Sequence, residues 1–231
     1  MEIGLNAVFI TGVLQIIAID LLLGGDNAIV IALACRKLSP EQRRKGVFWG
    51  VFGAVVARLI LIFFALQLLA LPYLKIVGSV LLLWIGVKLL LPDHDEHDNI
   101  ESSSRLLDAI KTIVIADVVM SLDNVIAVAA AAHGHMALAV FGIAVSIPVI
   151  VWGSQFVLKL LTRYPVIVYF GGALLGWIGG RMLMSDPALA SITEHLPPYS
   201  ALVAAVVGAV MVVVLGYVIG SKNKRKMNKN P

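Results

Sequence analysis

Between Val8 and Cys35 the chain carries only two charged residues, Asp20 and Asp26, in a stretch that is otherwise almost wholly apolar. Runs of this kind recur to the end of the sequence. A helix needs about 20 apolar residues to cross a bilayer, at about 1.5 Å of rise per residue. Seven stretches are long enough: about 3–35, 47–71, 73–91, 107–132, 136–161, 166–184 and 199–220. An open sheet cannot span lipid, because its unpaired backbone groups find no water there. A barrel would show short alternating segments, and the sequence has none. The predicted fold class is an all-α membrane protein with seven transmembrane helices. Composition agrees, with 60% hydrophobic and 14% charged residues, where soluble domains run nearer a half and a quarter. The opening "MEIGLNAVFITG" lacks a basic region and does not read as a cleaved signal peptide.

Lysine and arginine set the orientation. Arg36, Lys37, Arg43, Arg44 and Lys45 follow the first span, and the tail adds five more basic residues. With Lys88, Arg105, Lys111, Lys159 and Arg163 these fall on one side, so fifteen of the 18 basic residues share a face. Lys75 and Arg181 face the other way, and Arg58 falls inside a span. The amino terminus is predicted outside and the carboxyl terminus in the cytoplasm, in a multi-pass protein of the cell membrane. The net charge of +4 follows from this asymmetry and does not point to nucleic acid. The single cysteine, Cys35, excludes an intrachain disulfide and a multi-thiolate metal site. It reads as a small apolar residue at a helix end.

The phrase "DLLLGGDNAIVIALA" (residues 20–34) returns as "DVVMSLDNVIAVAAA" (residues 117–131). Asp20/Asp117, Asp26/Asp123 and Asn27/Asn124 all lie 97 apart. A second match, "GSVLLLWIGVKLLLPD" with "GGALLGWIGGRMLMSD", pairs Gly78/Gly171, Trp84/Trp177, Gly86/Gly179, Lys88/Arg181 and Asp93/Asp186 at an offset of 93. The middle helices align poorly. Two matched ends with nearly equal offsets still argue for a duplicated three-helix unit. Three spans is an odd number, so the second copy is inverted, as in many transporters whose sites lie near the midplane between repeats. The predicted layout is a first repeat at 1–92, an acidic and histidine-bearing cytoplasmic loop at 93–106, and a second, inverted repeat at 107–186. An outer loop and seventh helix at 187–221 and a basic cytoplasmic tail at 222–231 complete it. Gly172, Gly176 and Gly180, four apart, would let the sixth helix pack closely.

A charge at mid-membrane costs roughly 2.5–3.5 kcal/mol on insertion scales, which makes it a functional candidate by default. The bland reading is a protonated Asp bonded to a neighbouring helix; four of them, in matched copies with adjoining Asn, exceed it. Residues six apart on an unbroken helix are rotated by about 600°, so Asp20 and Asp26 would point to different faces. Sharing one ligand requires the helix to unwind between them, and Gly24 and Gly25 lie in that gap. In the second copy Ser121 would bond a freed backbone group. Carboxylate, amide and carbonyl oxygens suit hard cations such as magnesium, calcium and manganese. Four ionised carboxylates around one divalent ion would leave too much uncompensated charge in low dielectric. Either some are protonated or Arg58 reaches in as a counter-ion, and the first option predicts metal–proton exchange.

Other features admit plainer readings. Lys88 and Arg181, near helix ends, are expected to snorkel. The loop residues Asp93, His94, Asp95, Glu96, His97 and Asp98 either gather metal ions or form a solvated linker. His133 and His135 fall in a short outer turn, and Pro148 is expected to kink the fifth helix.

The paired D-x5-DN phrases resemble the signature of the TerC family of integral membrane proteins, over about residues 5 to 220. The seven-helix form and charged tail are similar to its YjbE branch. That resemblance implies metal homeostasis, chiefly manganese efflux, with a historical link to tellurite resistance. It implies that some members supply manganese to secreted enzymes. It makes Asp20, Asp26, Asp117 and Asp123 metal ligands, with Asn27 and Asn124 beside them. The expected function is a secondary transporter exporting a divalent metal ion, Mn2+ foremost, since no G-x4-GK[ST] loop is present. Mn2+ is then a bound substrate, and no prosthetic group, nucleic acid or enzymatic activity is expected. The partners are the metal ion and the lipid bilayer, with a homo-oligomer and a secretion-machinery partner as further options. Calcium or another cation is an alternative cargo. A membrane scaffold supporting metalation of secreted proteins is an alternative role. An intramembrane aspartyl protease is the rival from another class, but "GGD" at 24–26 matches its motif only faintly.

Overall fold

The computed structural model describes residues 7–64, 67–68, 71–91, 102–131 and 136–227, with side chains for these except 7–12, 19–25, 102, 123, 126, 129–131, 136 and 223–227. Among the described residues there is no strand, and seven long helices follow one another. They are α1 (Ala7–Cys35), α2 (Pro40–Phe63), α3 (Leu74–Leu90), α4 (Ser102–Ala131), α5 (Met136–Arg163), α6 (Val166–Leu183) and α7 (Ser200–Met227). A 3-10 turn at Pro187–Leu189 and a one-turn helix at Ala190–Thr193 lie between α6 and α7. Among the described residues four helical stretches are long and apolar enough to cross a membrane: Pro40–Phe63, Ala137–Arg163, Val166–Leu183 and Ser200–Lys222.

The outer faces of these helices are apolar. On α2, Phe48, Phe52, Val56, Ile60 and Phe63 are all exposed, at steps of three and four that make one stripe. On α5 the stripe is Phe141, Val145, Val149, Trp152 and Phe156. Monomeric soluble proteins rarely show contiguous apolar patches this long, whereas lipid removes the penalty. The polar groups Arg58, Asp117, Asn27 and Ser121 are instead buried.

The helices form two compact units, Met1–Ala70 with Leu106–Leu160 and Leu71–Arg105 with Leu161–Pro231. Each takes helices from both halves of the sequence. In the first unit α1, α2, α4 and α5 share a core of Ile31, Cys35, Leu38, Val47, Val51, Ala109, Ile113 and Ile150. Cys35 is fully buried there as a small apolar residue. The helix starts differ from the sequence expectation. α2 begins at Pro40 rather than about 47, because Ser39 accepts from the Gln42 N–H and Pro40 follows the cap, a favoured helix start. Arg43 therefore rides on the helix and donates to the Arg36 and Leu38 carbonyls. α1 runs through Gly24 and Gly25 without a break, against the expected unwinding. A glycine costs a helix only about 1 kcal/mol, less than freeing backbone groups where no water can reach them. α5 carries Pro148 inside its length.

In the second unit α3, α6 and α7 pack on one another. A Cβ at Gly176 would run into the Gly208 backbone, and one at Gly180 into the Ala204 carbonyl, so α6 and α7 touch through backbone. Gly172 faces Leu90 of α3. The small-residue spacing thus does what the sequence suggested. Ser79 of α3, fully buried, donates to the Gly179 carbonyl of α6 at 2.7 Å. Lys88 is exposed and lies over Trp84, 5.1 Å from the ring centroid.

Asp186 closes this unit. Its carboxylate accepts from the Tyr73, Lys75 and Ile76 N–H groups at the start of α3, at 2.9, 3.0 and 3.1 Å, and from the Ala188 N–H at 2.7 Å. Tyr73 has φ 67 and gives α3 no side-chain cap, so a carboxylate from the far side of α6 does the capping. Burial pushes the carboxyl up, but the N–H groups of Ala188, Tyr73, Ile76 and Lys75 outweigh it and hold it below the usual carboxylate value. Asp186→Ala should cost about 2–3 kcal/mol at neutral pH, the worth of charge-assisted bonds to orphan helix donors. Because the folded value is depressed, that stability is fully present above about pH 4 and fades as pH falls through the folded value. Unfolding measured against pH should show wild type and variant converging below that point.

Candidate functional site

Three helices, α1, α2 and α4, carry the first unit's polar cluster into its apolar interior. Asp117 of α4 is at its centre and is 6% exposed. Its Oδ1 accepts from Asn27 Nδ2 of α1 at 2.8 Å. The same oxygen forms an ion pair with Arg58 Nη2 of α2. Arg58 Nε also donates to Ser121 Oγ at 3.1 Å, and that hydroxyl donates to Asp117 Oδ2 at 3.4 Å. Asp117 and Ser121 are four apart on α4, so they stand one turn above the other. An unbroken helix serves both, and α4 runs through Ser121 as a helix. The expected role for Ser121, bonding a freed backbone group, is thus replaced by bonds to two side chains.

Beside this network, Asp26 Oδ1 is buried and has no hydrogen-bond partner among the described residues. An unpaired buried carboxylate oxygen is costly, and groups of this kind ask for an explanation. A cavity of about 20 Å³ adjoins the network, on the scale of one water or one bare ion. Asn27, Arg58 and Asp117 line it together with Val30, Val51 and Ile113. Around the α1 axis, positions 20 and 26 are about 120° apart in an unbroken helix. The side chains of Asp20 and Asp123 lie outside the described residues, as do His133, His135 and the whole Asp93–Asp98 cluster. Asn124 is half-buried on α4. Among the described residues no three His, Cys, Asp or Glu side chains gather closely enough to hold a metal.

Residues 5–225 match the family described as Integral membrane protein TerC family. The chain belongs to the TerC family. It is 46% identical over 181 residues to the "Uncharacterized membrane protein YjbE" of Bacillus subtilis, covering 78% of this chain and 83% of that one. It is 24% identical over 205 residues to YkoY of the same organism, covering 79% and 63%. It is 24% identical over 215 residues to the UPF0053 inner membrane protein YgdQ of Escherichia coli, covering 83% and 85%. No solved structure matches the chain. TerC membership confirms the resemblance carried by the paired D-x5-DN phrases and makes the chain an integral membrane protein. Of the TerC motif positions, the structure joins Asn27 of the first copy to Asp117 of the second. Arg58 lies outside the TerC phrases, and its mid-span position was the one sequence signal for it.

Proposed function

We propose that the protein is a secondary transporter that exports a divalent cation from the cytoplasm, manganese foremost, through the Asp/Asn cluster. In this reading all seven helices span the cell membrane, the two matched segments are inverted repeats, and the amino terminus lies outside. Asp20, Asp26, Asp117 and Asp123 supply carboxylate oxygens, and Asn27 and Asn124 supply amide oxygens. The observation that carries the reading is Asp26 Oδ1, buried without a partner among the described residues, beside the buried Asn27–Asp117–Arg58 network. Carboxylate and amide oxygens of this kind suit a hard cation, and Arg58 on the wall of the same cavity would have to give way to it. Protons are the proposed counter-ion.

Metal flux into proteoliposomes, run with manganese, calcium and magnesium across a pH gradient, tests cargo and coupling together. Manganese flux is expected in wild type and a drop of about a hundredfold or more in Asp20→Asn and Asp117→Asn. Equal flux in wild type and both variants would sink the proposal, and calcium outrunning manganese would change the cargo. A second reading, a membrane scaffold, is favoured by one fact: Arg58, Asn27 and Ser121 already satisfy Asp117. Under it the Asp variants leave cellular manganese unchanged.

A further inference from the structure

We infer that Arg58 is a tethered stand-in for the transported cation, so that its guanidinium and the divalent ion take turns on Asp117. The inference rests on the transport reading above and adds to it how the site is left when empty. Asp117 Oδ1 holds Arg58 Nη2 and Asn27 Nδ2, and Oδ2 holds Ser121 Oγ. A carboxylate offers about four lone-pair positions, and at least three are taken. A divalent ion entering the adjoining cavity meets Arg58 and Asp117 on the same wall. Two cations a few ångströms apart among Val30, Val51 and Ile113 repel with little screening. One of them must leave for the other to bind.

Arginine is the side chain suited to this exchange. Its charge is permanent, so it cannot neutralise itself by losing a proton when Asp117 turns to the metal. Its long stem lets the head swing between partners, and its planar fork meets a carboxylate well. Arg58 Nε already has a second hold on Ser121, 3.1 Å away, which anchors the side chain beside the site. When the divalent ion departs, two positive charges leave, and Arg58 restores one of them at Asp117. A carrier without metal is therefore not left with that carboxylate bare in low dielectric, and it can return with the counter-ion protons on the other carboxylates. A carrier lacking the guanidinium returns efficiently only when loaded.

Two flux modes of the full-length protein in proteoliposomes separate these cases, with manganous ion as the probe. Net transport into metal-free vesicles needs the return step without metal. Exchange of labelled for unlabelled ion does not. In Arg58→Gln, net transport should fall about tenfold or more while exchange stays within about threefold of wild type. Manganous ion should bind the purified variant at least as tightly as wild type, because its competitor is gone. Arg58→Lys, which keeps a cation, should hold the wild-type ratio of net transport to exchange. Net transport and exchange falling together in Arg58→Gln, or neither changing, overturns the inference and leaves Arg58 a structural partner. If Arg58→Gln does not fold, Arg58→Lys decides: a ratio displaced by about tenfold or more overturns it. Failure of the transport reading looks different, since wild type would then carry no ion in either mode.

Discussion

Arg58→Met lowers the stability of the folded protein by about 3–5 kcal/mol, and adding Asp117→Asn to it returns most of the loss. The expectation follows from where the pair sits. Arg58 and Asp117 are 7% and 6% exposed, and residues such as Val51, Ala54 and Ile113 surround them. Removing the guanidinium leaves a carboxylate without its counter-ion in a medium that cannot solvate it. Removing both charges leaves no such ion. Asn at position 117 also keeps an oxygen for the Asn27 Nδ2 bond, so the double variant abandons little hydrogen bonding. Reversible unfolding in bicelles, run on wild type, both single variants and the double variant, gives the coupling energy. A coupling near zero, with the two losses adding, would show that the pair is solvated and that the interior is not dry. The same double variant should be unable to carry metal, because stability and transport ask different things of position 117.

Much of the fold was legible because lipid makes a simple demand. An apolar run that must pair its own backbone groups becomes a helix, so α3, α5 and α6 begin and end within a residue or two of expectation. The helix starts at Pro40 and Ser102 were missed for a local reason. At Pro40 the cap by Ser39 sets the start, and both helices extend beyond the apolar runs that mark a span. The glycine pair 24–25 misled because conformational freedom is permission, and the backbone kept its hydrogen bonds. Of the site, Asp26, Asn27, Asp117 and Arg58 were visible as polar residues with no reason to be in lipid. Arg58 was legible as a counter-ion to the carboxylates, but which carboxylate it meets, and what Asn27 meets, were not. That Asn27 reaches Asp117, ninety residues on, depends on how α1 meets α4, and matching phrases carry no distance. Asp186 shows the same limit: its offset of 93 from Asp93 marked it, but the bonds it makes are to the start of α3.

Asp26→Leu should make the protein more stable and stop it from transporting. Asp26 Oδ1 is buried without a partner among the described residues, and an unsatisfied buried polar group costs about 1–3 kcal/mol. Leucine at a membrane-buried position is favourable where aspartate is costly, and it lies in a helix that is mostly apolar. A gain of about 1–3 kcal/mol in unfolding free energy is therefore expected. Transport should fall by about a hundredfold or more, since the cation loses a charged ligand that no neighbour replaces. The two signs together are the point. A residue kept for packing is expected to lose stability when replaced, whereas one kept for a ligand leaves a stability gain behind it. A stability loss in Asp26→Leu would mean that the carboxylate is already bonded within the fold, and Asp26 would then be a poor candidate for holding a transported ion.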